Sequence, residues 1–428
     1  FSIYCSTNDR FPIHLVDIVE LFWTELSARG VSQHWYSPGR NTPGPFRTEQ
    51  VTDNIPITVS PAVAGFGGIG VALNTAVEWL ADTWCLVRQM KGGADVIQVR
   101  DKYWAAVVAW LITRINGAKF VTWLSFPYPE ADLDRAEHAG LLKRTYLRLS
   151  GRLGQQMLYR FAMRRADLCF VQTEEMKRSL LPFGIPAAKM VPVPMGITPR
   201  ALQFRKGQPA RATDPEAQAL IREHIAPNTR TIFYLGTLNR SRELEIMIDA
   251  MALVVKKEPG ARLLVVGGED NPGDLAFLQE RAEQQGVTGY VQFTGWMPIE
   301  KAWVLLEQVD VCWSPIVNNR VLRVGSPTKL VEYMAFQKPV VANEHPEQRQ
   351  ILDESGAGYC VPWSPEGFAD ATLQLFSDAN AAQSMGDRGL PWVQKNRVYD
   401  AIADKVLSEY EQLLAPPRAV GQLQRNNS

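Results

Sequence analysis

The segment Gly325-Ser-Pro-Thr-Lys-Leu-Val-Glu-Tyr-Met-Ala-Phe-Gln-Lys-Pro-Val-Val-Ala342 gathers the residue types best suited to chemistry. Ser326 can cap a helix whose first position is Pro327, and an amphipathic run then leads into a buried strand. Such a helix start offers unpaired backbone N–H groups and the positive end of the helix dipole, a seat for a diphosphate. Lys329 and Glu332 stand three apart on one face, with Arg320 and Arg323 just upstream. Their plain structural role would be a salt bridge on a capped surface helix.

Other candidates weigh less. Asp132-Leu-Asp134 has the spacing of a metal–nucleotide pair, but it comes after Pro129-Glu130 at a helix start, where acids simply complement the dipole. Gly65-Phe-Gly-Gly-Ile-Gly70 opens another helix and could face a phosphate, yet it lacks the ribose-binding acid of a dinucleotide fingerprint. None of the histidines His14, His34, His138, His224 and His345 has metal spacing. Cys5, Cys85, Cys169, Cys312 and Cys360 are scattered, which predicts reduced thiols rather than a disulfide framework or a zinc site. No metal and no cofactor is expected.

A different signal runs from His138 to Ala166, where no acid occurs but Lys143, Arg144, Arg148, Arg152, Arg160, Arg164 and Arg165 do. Leu142, Tyr146, Leu149, Leu153, Met157 and Phe161 recur at steps of three or four beside them. This is one amphipathic helix with a cationic face, fitted to an anionic membrane surface or a pyrophosphate-linked lipid. The competing reading is a core helix with a solvated basic face. Tyr103, Trp104 and Trp110, at helical spacing, read as core.

The elements that must position these residues alternate between strand and helix. Apolar runs at 96–99, 120–124, 168–171, 232–235, 263–266, 309–313 and 340–342 are bounded by turn residues and separated by helical patterns. They predict parallel sheets covered on both faces. The stretch Arg200–Pro227, with Gly207, Pro209 and Pro215, interrupts the alternation and reads as a linker. The expected domains are 1–198, a linker at 199–228, a second domain at 229–394, a terminal helix at 395–415 packing back on the first domain, and a disordered tail at 416–428. The fold class is α/β, two Rossmann-like doubly wound domains facing across a cleft. With 45 Lys+Arg against 45 Asp+Glu, a generic nucleic-acid binder is excluded. No run reads as a membrane-spanning helix or a cleavable leader, which predicts a cytoplasmic protein.

The Gly325–Ala342 segment resembles the donor-binding helix of glycosyltransferase family 4, retaining enzymes of GT-B fold, in the branch Ser-Pro-x-Lys-Leu-x-Glu-Tyr-Met-Ala. Tyr234-Leu-Gly236 with Arg242 after it resembles the first donor-domain strand and the basic residue for the leaving diphosphate. Val341-Ala-Asn-Glu-His-Pro-Glu347 resembles the loop over the donor sugar, and Gly356–Pro362 the last strand before the terminal helices. Arg165–Thr173 and Val191–Ile197 resemble the end of the acceptor domain, so the resemblance implies that 1–198 binds the acceptor and 229–394 the nucleotide-sugar donor. The resemblance implies Arg242, Lys329 and Glu332 as catalytic residues, Glu332 accepting from the ribose hydroxyls. It implies Gly236, Thr237, Arg240, Gly325, Ser326, Pro327, Thr328, Glu344 and His345 around the donor.

This sequence also departs from the family. Val324 stands where the first glutamate of Glu-x7-Glu belongs; Thr237 takes an arginine position, with Arg240 as a steric substitute; Met195 replaces an asparagine. The acceptor-domain histidine expected after Phe120–Leu124 is missing. The activity implied by the resemblance is metal-independent, retaining transfer of a sugar from a nucleotide sugar to a lipid-linked glycan acceptor. The setting would be the cytosolic membrane face, with Arg144, Arg148, Arg152, Arg160 and Arg164 meeting the membrane or acceptor. A sugar-nucleotide epimerase or phosphorylase on the same fold, and a degenerate module that binds without turnover, are the alternatives.

Overall fold

The computed structural model describes residues 1–39, 45–52, 54–61, 67–137, 139–207 and 213–416. His138, the start of the Gly65–Gly70 segment and the tail after 416 therefore lie outside the described residues. Two sheets organise the chain. The first comprises β1 (Ser2–Thr7), β2 (Ser32–Ser37), β3 (Arg47–Thr52), β4 (Ile55–Val59), β5 (Val96–Arg100), β6 (Lys119–Leu124), β7 (Leu168–Val171) and β8 (Met190–Pro192). Their order is β3-β4-β2-β1-β5-β6-β7-β8. All neighbours are parallel except β3, which runs antiparallel on β4 at the edge.

The second sheet is wholly parallel. It comprises β9 (Arg230–Leu235), β10 (Ala261–Val266), β11 (Val291–Gly295), β12 (Val311–Ser314), β13 (Val340–Asn343) and β14 (Gly358–Val361), in the order β11-β10-β9-β12-β13-β14. The order reverses direction beside β9, the switch point where doubly wound sheets open a ligand crevice at their carboxyl ends. Both faces of each sheet are sealed by apolar clusters, which accounts for the unbroken apolar runs in the sequence.

The stretch read as a linker is largely helical. Pro199–Lys206 and Pro215–His224 each begin with proline, and Thr198 and Asp214 cap them by accepting from Ala201 N and Glu216 N. Proline at a first helical position costs no hydrogen bond, so these prolines start helices rather than break them. Ala201, Leu202, Phe204 and Leu220 pack into the second domain's core. The chain crosses back at Ile197–Val398, where the two residues bridge, and Tyr399–Leu414 then lies on the first domain. Tyr399, Ile402, Val406 and Tyr410 are buried in that domain's core, and Arg29 ties Asp404 at 2.9 Å.

Candidate functional site

The carboxyl ends of β9 and β10 approach so closely that a Cβ on Gly267 would stand 2.0 Å from the Gly236 carbonyl oxygen. Glycine is required there by the space alone. Helix Thr328–Ala335 is fastened over this crevice by Tyr333, whose hydroxyl accepts from Leu235 N at 2.8 Å. Its first turn delivers Lys329, whose Nζ donates to the Tyr234 hydroxyl at 3.1 Å and sits 4.3 Å from that ring's centre. A Cβ on Gly236 would come within 3.2 Å of Lys329 Nζ, so Gly236 keeps the ammonium's surroundings open.

Burial, and then the nearby charge of Arg242, bring the Lys329 ammonium down to about 7. Among the described residues neither cation meets a carboxylate at ion-pair distance. Two cations close enough to feel one another's charge, with no acid paired to either among the described residues and a helix N-terminus beside Lys329, suit an anion.

The Lys329–Glu332 salt bridge of the plain structural reading does not form. Glu332 turns to the other side, where Trp303 Nε1 donates to its Oε1, and burial raises its carboxyl to about 7. Helical spacing places the two on neighbouring sides, but each long side chain takes the partner that its own crevice offers. Trp303 had no motif to mark it.

Ser326 does not cap the helix either. Pro327 occupies the cap position, and Ser326 Oγ accepts from Met195 N across the domains at 3.2 Å and lies 3.3 Å from Glu347 Oε1. Glu347 in turn meets Arg397 at 2.7 Å, both buried, so this serine belongs to the inter-domain joint.

The segment before the helix is likewise anchored across the cleft. Val324 is buried in the first domain's core, and its carbonyl accepts from Thr173 Oγ1 at 2.8 Å. The same Thr173 hydroxyl accepts from Met176 N to cap its own helix. Arg323 pairs with Glu175 at 2.5 Å and Arg320 with Glu137 at 3.4 Å. These two arginines serve domain contact rather than the Lys329–Arg242 cluster.

The remaining donor candidates divide. Gly325, Pro327 and Thr328 frame the helix start, and Thr237 is exposed on the loop after β9. Arg240 does not join Arg242: its guanidinium stands over Phe277 at 4.8 Å and 3.7 Å from Asp274. Glu344 is exposed and paired with Arg349. His345 is fully buried, with Nε2 3.0 Å from the Leu322 carbonyl and Nδ1 without a partner, and burial lowers its pKa.

On the first domain, helices α1 (Gly67–Arg88), α2 (Trp104–Asn116), α3 (Tyr128–Glu137) and α4 (Leu141–Gly154) cover one face. The basic stretch continues α4 as a wider π-type winding over Gln155–Met163. Its apolar row does not face the core along α4: Leu142, Tyr146, Leu149 and Leu153 are exposed, at 88, 69, 66 and 50%. The buried side is instead Leu147, Gly151 and Gly154, where a Cβ on Gly151 would press within 2.7 Å of the Pro129 carbonyl. Arg148 and Arg152 are exposed and Arg144 partly so, alongside the apolar row. Arg160 and Arg164 approach Phe183 and Gly184, away from that row.

Trp104, expected in the core, is half exposed and stacks on Trp79 at 6.3 Å. Asp132 is engaged by Arg135 and Ser150, each at 2.7 Å. Among the described residues no group of three or more His, Cys, Asp or Glu is placed to hold a metal ion.

Both halves of this arrangement have counterparts in known proteins. Residues 17–196 match the family described as "Glycosyl transferase 4-like domain" and residues 229–378 that described as "Glycosyl transferases group 1". Over 258 residues the chain is 27% identical to a D-inositol 3-phosphate glycosyltransferase of Corynebacterium jeikeium, covering 59% of this chain and 58% of that protein. It is 24% identical to a phosphatidyl-myo-inositol mannosyltransferase of Mycobacterium leprae, over 42% of this chain and 46% of that one. The chain thus spans about half the length of the curated relatives it matches.

Among solved structures, sucrose-phosphate synthase of Thermosynechococcus elongatus superposes with a TM-score of 0.68 at 17% identity, over 96% of this chain and 98% of the other. HepE of Anabaena, solved with UDP, gives 0.66 at 14%, over 96% and 100%. The fold is GT-B.

Proposed function

We propose that this chain, a GT4-type glycosyltransferase of GT-B fold, moves a sugar from a nucleotide-sugar donor to a lipid-linked glycan acceptor at the cytosolic face of a membrane. The observation that carries the reading is that Lys329, at the carboxyl end of β9 and near the charge of Arg242, meets no carboxylate among the described residues. A glycosyl transition state of oxocarbenium character sheds a diphosphate, and stabilisation must reach the charge as it develops. Lys329 and Arg242 supply it in a crevice where water screens little, and the helix start at Thr328 adds backbone N–H groups. Glu332 accepts from the ribose hydroxyls, with Trp303 holding its other side. In this account the leaving phosphate takes the acceptor's proton, the sugar keeps its anomeric configuration, and no metal takes part.

The acceptor's lipid linkage rests on the exposed apolar row of α4 with Arg144, Arg148 and Arg152 beside it. Cations flanking exposed leucines complement an anionic bilayer, the cations meeting headgroups and the leucines entering the acyl boundary. Relatives named for inositol glycosyltransfer and phosphatidyl-inositol mannosyltransfer are compatible with such an acceptor. Among the described residues no helix is long and apolar enough to cross a membrane, so the contact proposed is peripheral.

The test is release of nucleoside diphosphate from UDP-, GDP- and ADP-sugars, with and without a membrane lipid extract as acceptor source. Acceptor-dependent release with one donor supports the reading. One observation favours a second reading: Val324, buried against the first domain, stands where the family has an acid. Nucleotide binding without any release would favour a module that binds without turnover.

A further inference from the structure

The first domain holds a cavity of about 250 Å³ between α1, α2, α3 and α4. Asn8 and Asp101, just past the carboxyl ends of β1 and β5, line its floor, on the edge where doubly wound sheets receive ligands. Its lining holds the acids Glu78, Asp82, Asp101 and Asp132. Arg10 pairs with Glu78 at 2.8 Å, Arg135 with Asp132 at 2.7 Å, and Arg100 lies 3.8 Å from Asp101, which leaves Lys102 as the cation of the lining itself. That cation is already committed. Lys102 Nζ donates to Asp82 at 2.7 Å and to Ser6 Oγ at 3.0 Å, and lies 4.4 Å from the Tyr36 ring centre. Asp101 is held in a left-handed conformation (φ 58°) and takes Ser125 N at 2.9 Å together with the Ser125 hydroxyl. Ser125 comes directly after β6, beside the place where the family's histidine was expected.

The other wall is aromatic. Trp79 and Trp104 stack on one another, Trp104 Nε1 donating to Thr83 Oγ1 at 3.0 Å, and both rings remain open at the cavity mouth, 55 and 41% exposed. Farther along the same two helices Leu80, Trp84, Leu111 and Ile115 are also exposed, at 73, 50, 50 and 67%.

These features select a ligand. Each ionised carboxylate has about four lone-pair sites, more than the hydrogen bonds that Asp101 and Asp132 make here. They can accept from further hydrogen-bond donors, whereas a phosphate would meet cations already committed to these acids. A cationic headgroup would compete with Lys102 for the same acids. Aromatic faces take an apolar ring surface, and the outer leucines, isoleucine and Trp84 take an alkyl chain.

We infer that this cavity binds the neutral, polyhydroxylated headgroup of an amphiphilic acceptor, with the alkyl part leaving along α1 and α2. The inference rests on the proposed lipid-linked acceptor and names its headgroup chemistry: an uncharged sugar or polyol ring at the receiving end.

The probe is octyl β-D-glucopyranoside below its micelle concentration, titrated by NMR saturation transfer or calorimetry on the full chain. Octyl phosphate and octyltrimethylammonium serve as charge controls. Saturable binding of the glucoside, with neither control competing, is expected. Trp104→Ala should weaken it by about fivefold and Trp104→Phe should restore it, since the ring face rather than the indole N–H makes the contact. Asp132→Asn gives a second, independent arm with a loss of similar size.

Absence of glucoside binding, an affinity unmoved by both Trp104→Ala and Asp132→Asn, or tighter binding of either charged control would overturn the assignment. Nucleoside diphosphate binding, measured in the same samples, should be unaltered by these variants. Its absence in the unsubstituted chain would count against the donor reading while leaving a glucoside-binding cavity in place.

Discussion

The crevice at the end of β9 and the cavity beneath Trp79 and Trp104 differ in how their charges are paired. In the first, Lys329 and Arg242 meet no carboxylate at ion-pair distance among the described residues. In the second, Glu78, Asp82 and Asp132 pair with Arg10, Lys102 and Arg135, and Asp101 lies 3.8 Å from Arg100. In the reading proposed above, the difference separates an open cationic seat for an anionic leaving group from a charge-balanced cavity for a neutral, polyhydroxylated ligand. A diphosphate placed in the second would face acids whose cations are already committed, which disfavours that pose.

The comparison breaks most sharply if the cationic side is removed. Arg242→Ala combined with Lys329→Ala should lower donor turnover by about a thousandfold, and either change alone by about a hundredfold, as for the loss of an oriented charge-stabilising donor. Glu332→Gln should act mainly on nucleotide affinity. Kinetics untouched by Lys329→Ala and Glu332→Gln would remove the donor assignments altogether.

The two halves must also be kept in register, and the buried Arg397–Glu347 pair sits at their joint with Ser326 and Met195. Arg397→Ala strands a buried carboxylate, so unfolding stability should drop by about 3 kcal/mol. Chemical denaturation measures it, and a negligible change would mean that the joint tolerates an unpaired acid. Smaller still is the surface effect. Arg144→Glu, Arg148→Glu and Arg152→Glu together should weaken binding to phosphatidylglycerol-containing vesicles by roughly thirtyfold, and salt should erode what remains. Vesicle co-sedimentation unaffected by these changes would remove α4 from the membrane proposal.

How much of the molecule is legible in the sequence depends on the kind of signal. Strands β9, β10, β12 and β13 announce themselves because a parallel strand buried on both faces needs an unbroken apolar run. Strands β1 and β2 are just as central, but Ser6, Thr7, Gln33 and Ser37 are buried within them. Their polar groups are satisfied by tertiary partners such as Asp82 for Ser6 and the Phe22 carbonyl for Gln33. No local pattern foretells such partners.

At the site, Lys329, Arg242 and Glu332 are legible from the resemblance, whereas Trp303 and the outward turn of Arg240 depend on contacts between distant segments. The row Leu142–Leu153 is visible as a period, but a period does not say which way the row faces. The tight approach of Gly151 and Gly154 to Pro129 and Tyr103 turns it outward.

The central claim is that Lys329 and Arg242 form a diphosphate seat poised near neutrality, and calorimetric titration of UDP and GDP at pH 7 and pH 9 tests it most directly. A bound diphosphate favours the ammonium, so affinity is full below the Lys329 pKa of about 7 and declines as pH rises above it. The nucleotide's own terminal phosphate gains charge over this range, which works in the opposite direction. A loss of about tenfold in affinity for the preferred nucleotide between pH 7 and pH 9, absent in Lys329→Ala, is the expected result. An affinity that is flat or rises with pH, or an equal decline in Lys329→Ala, would contradict the account.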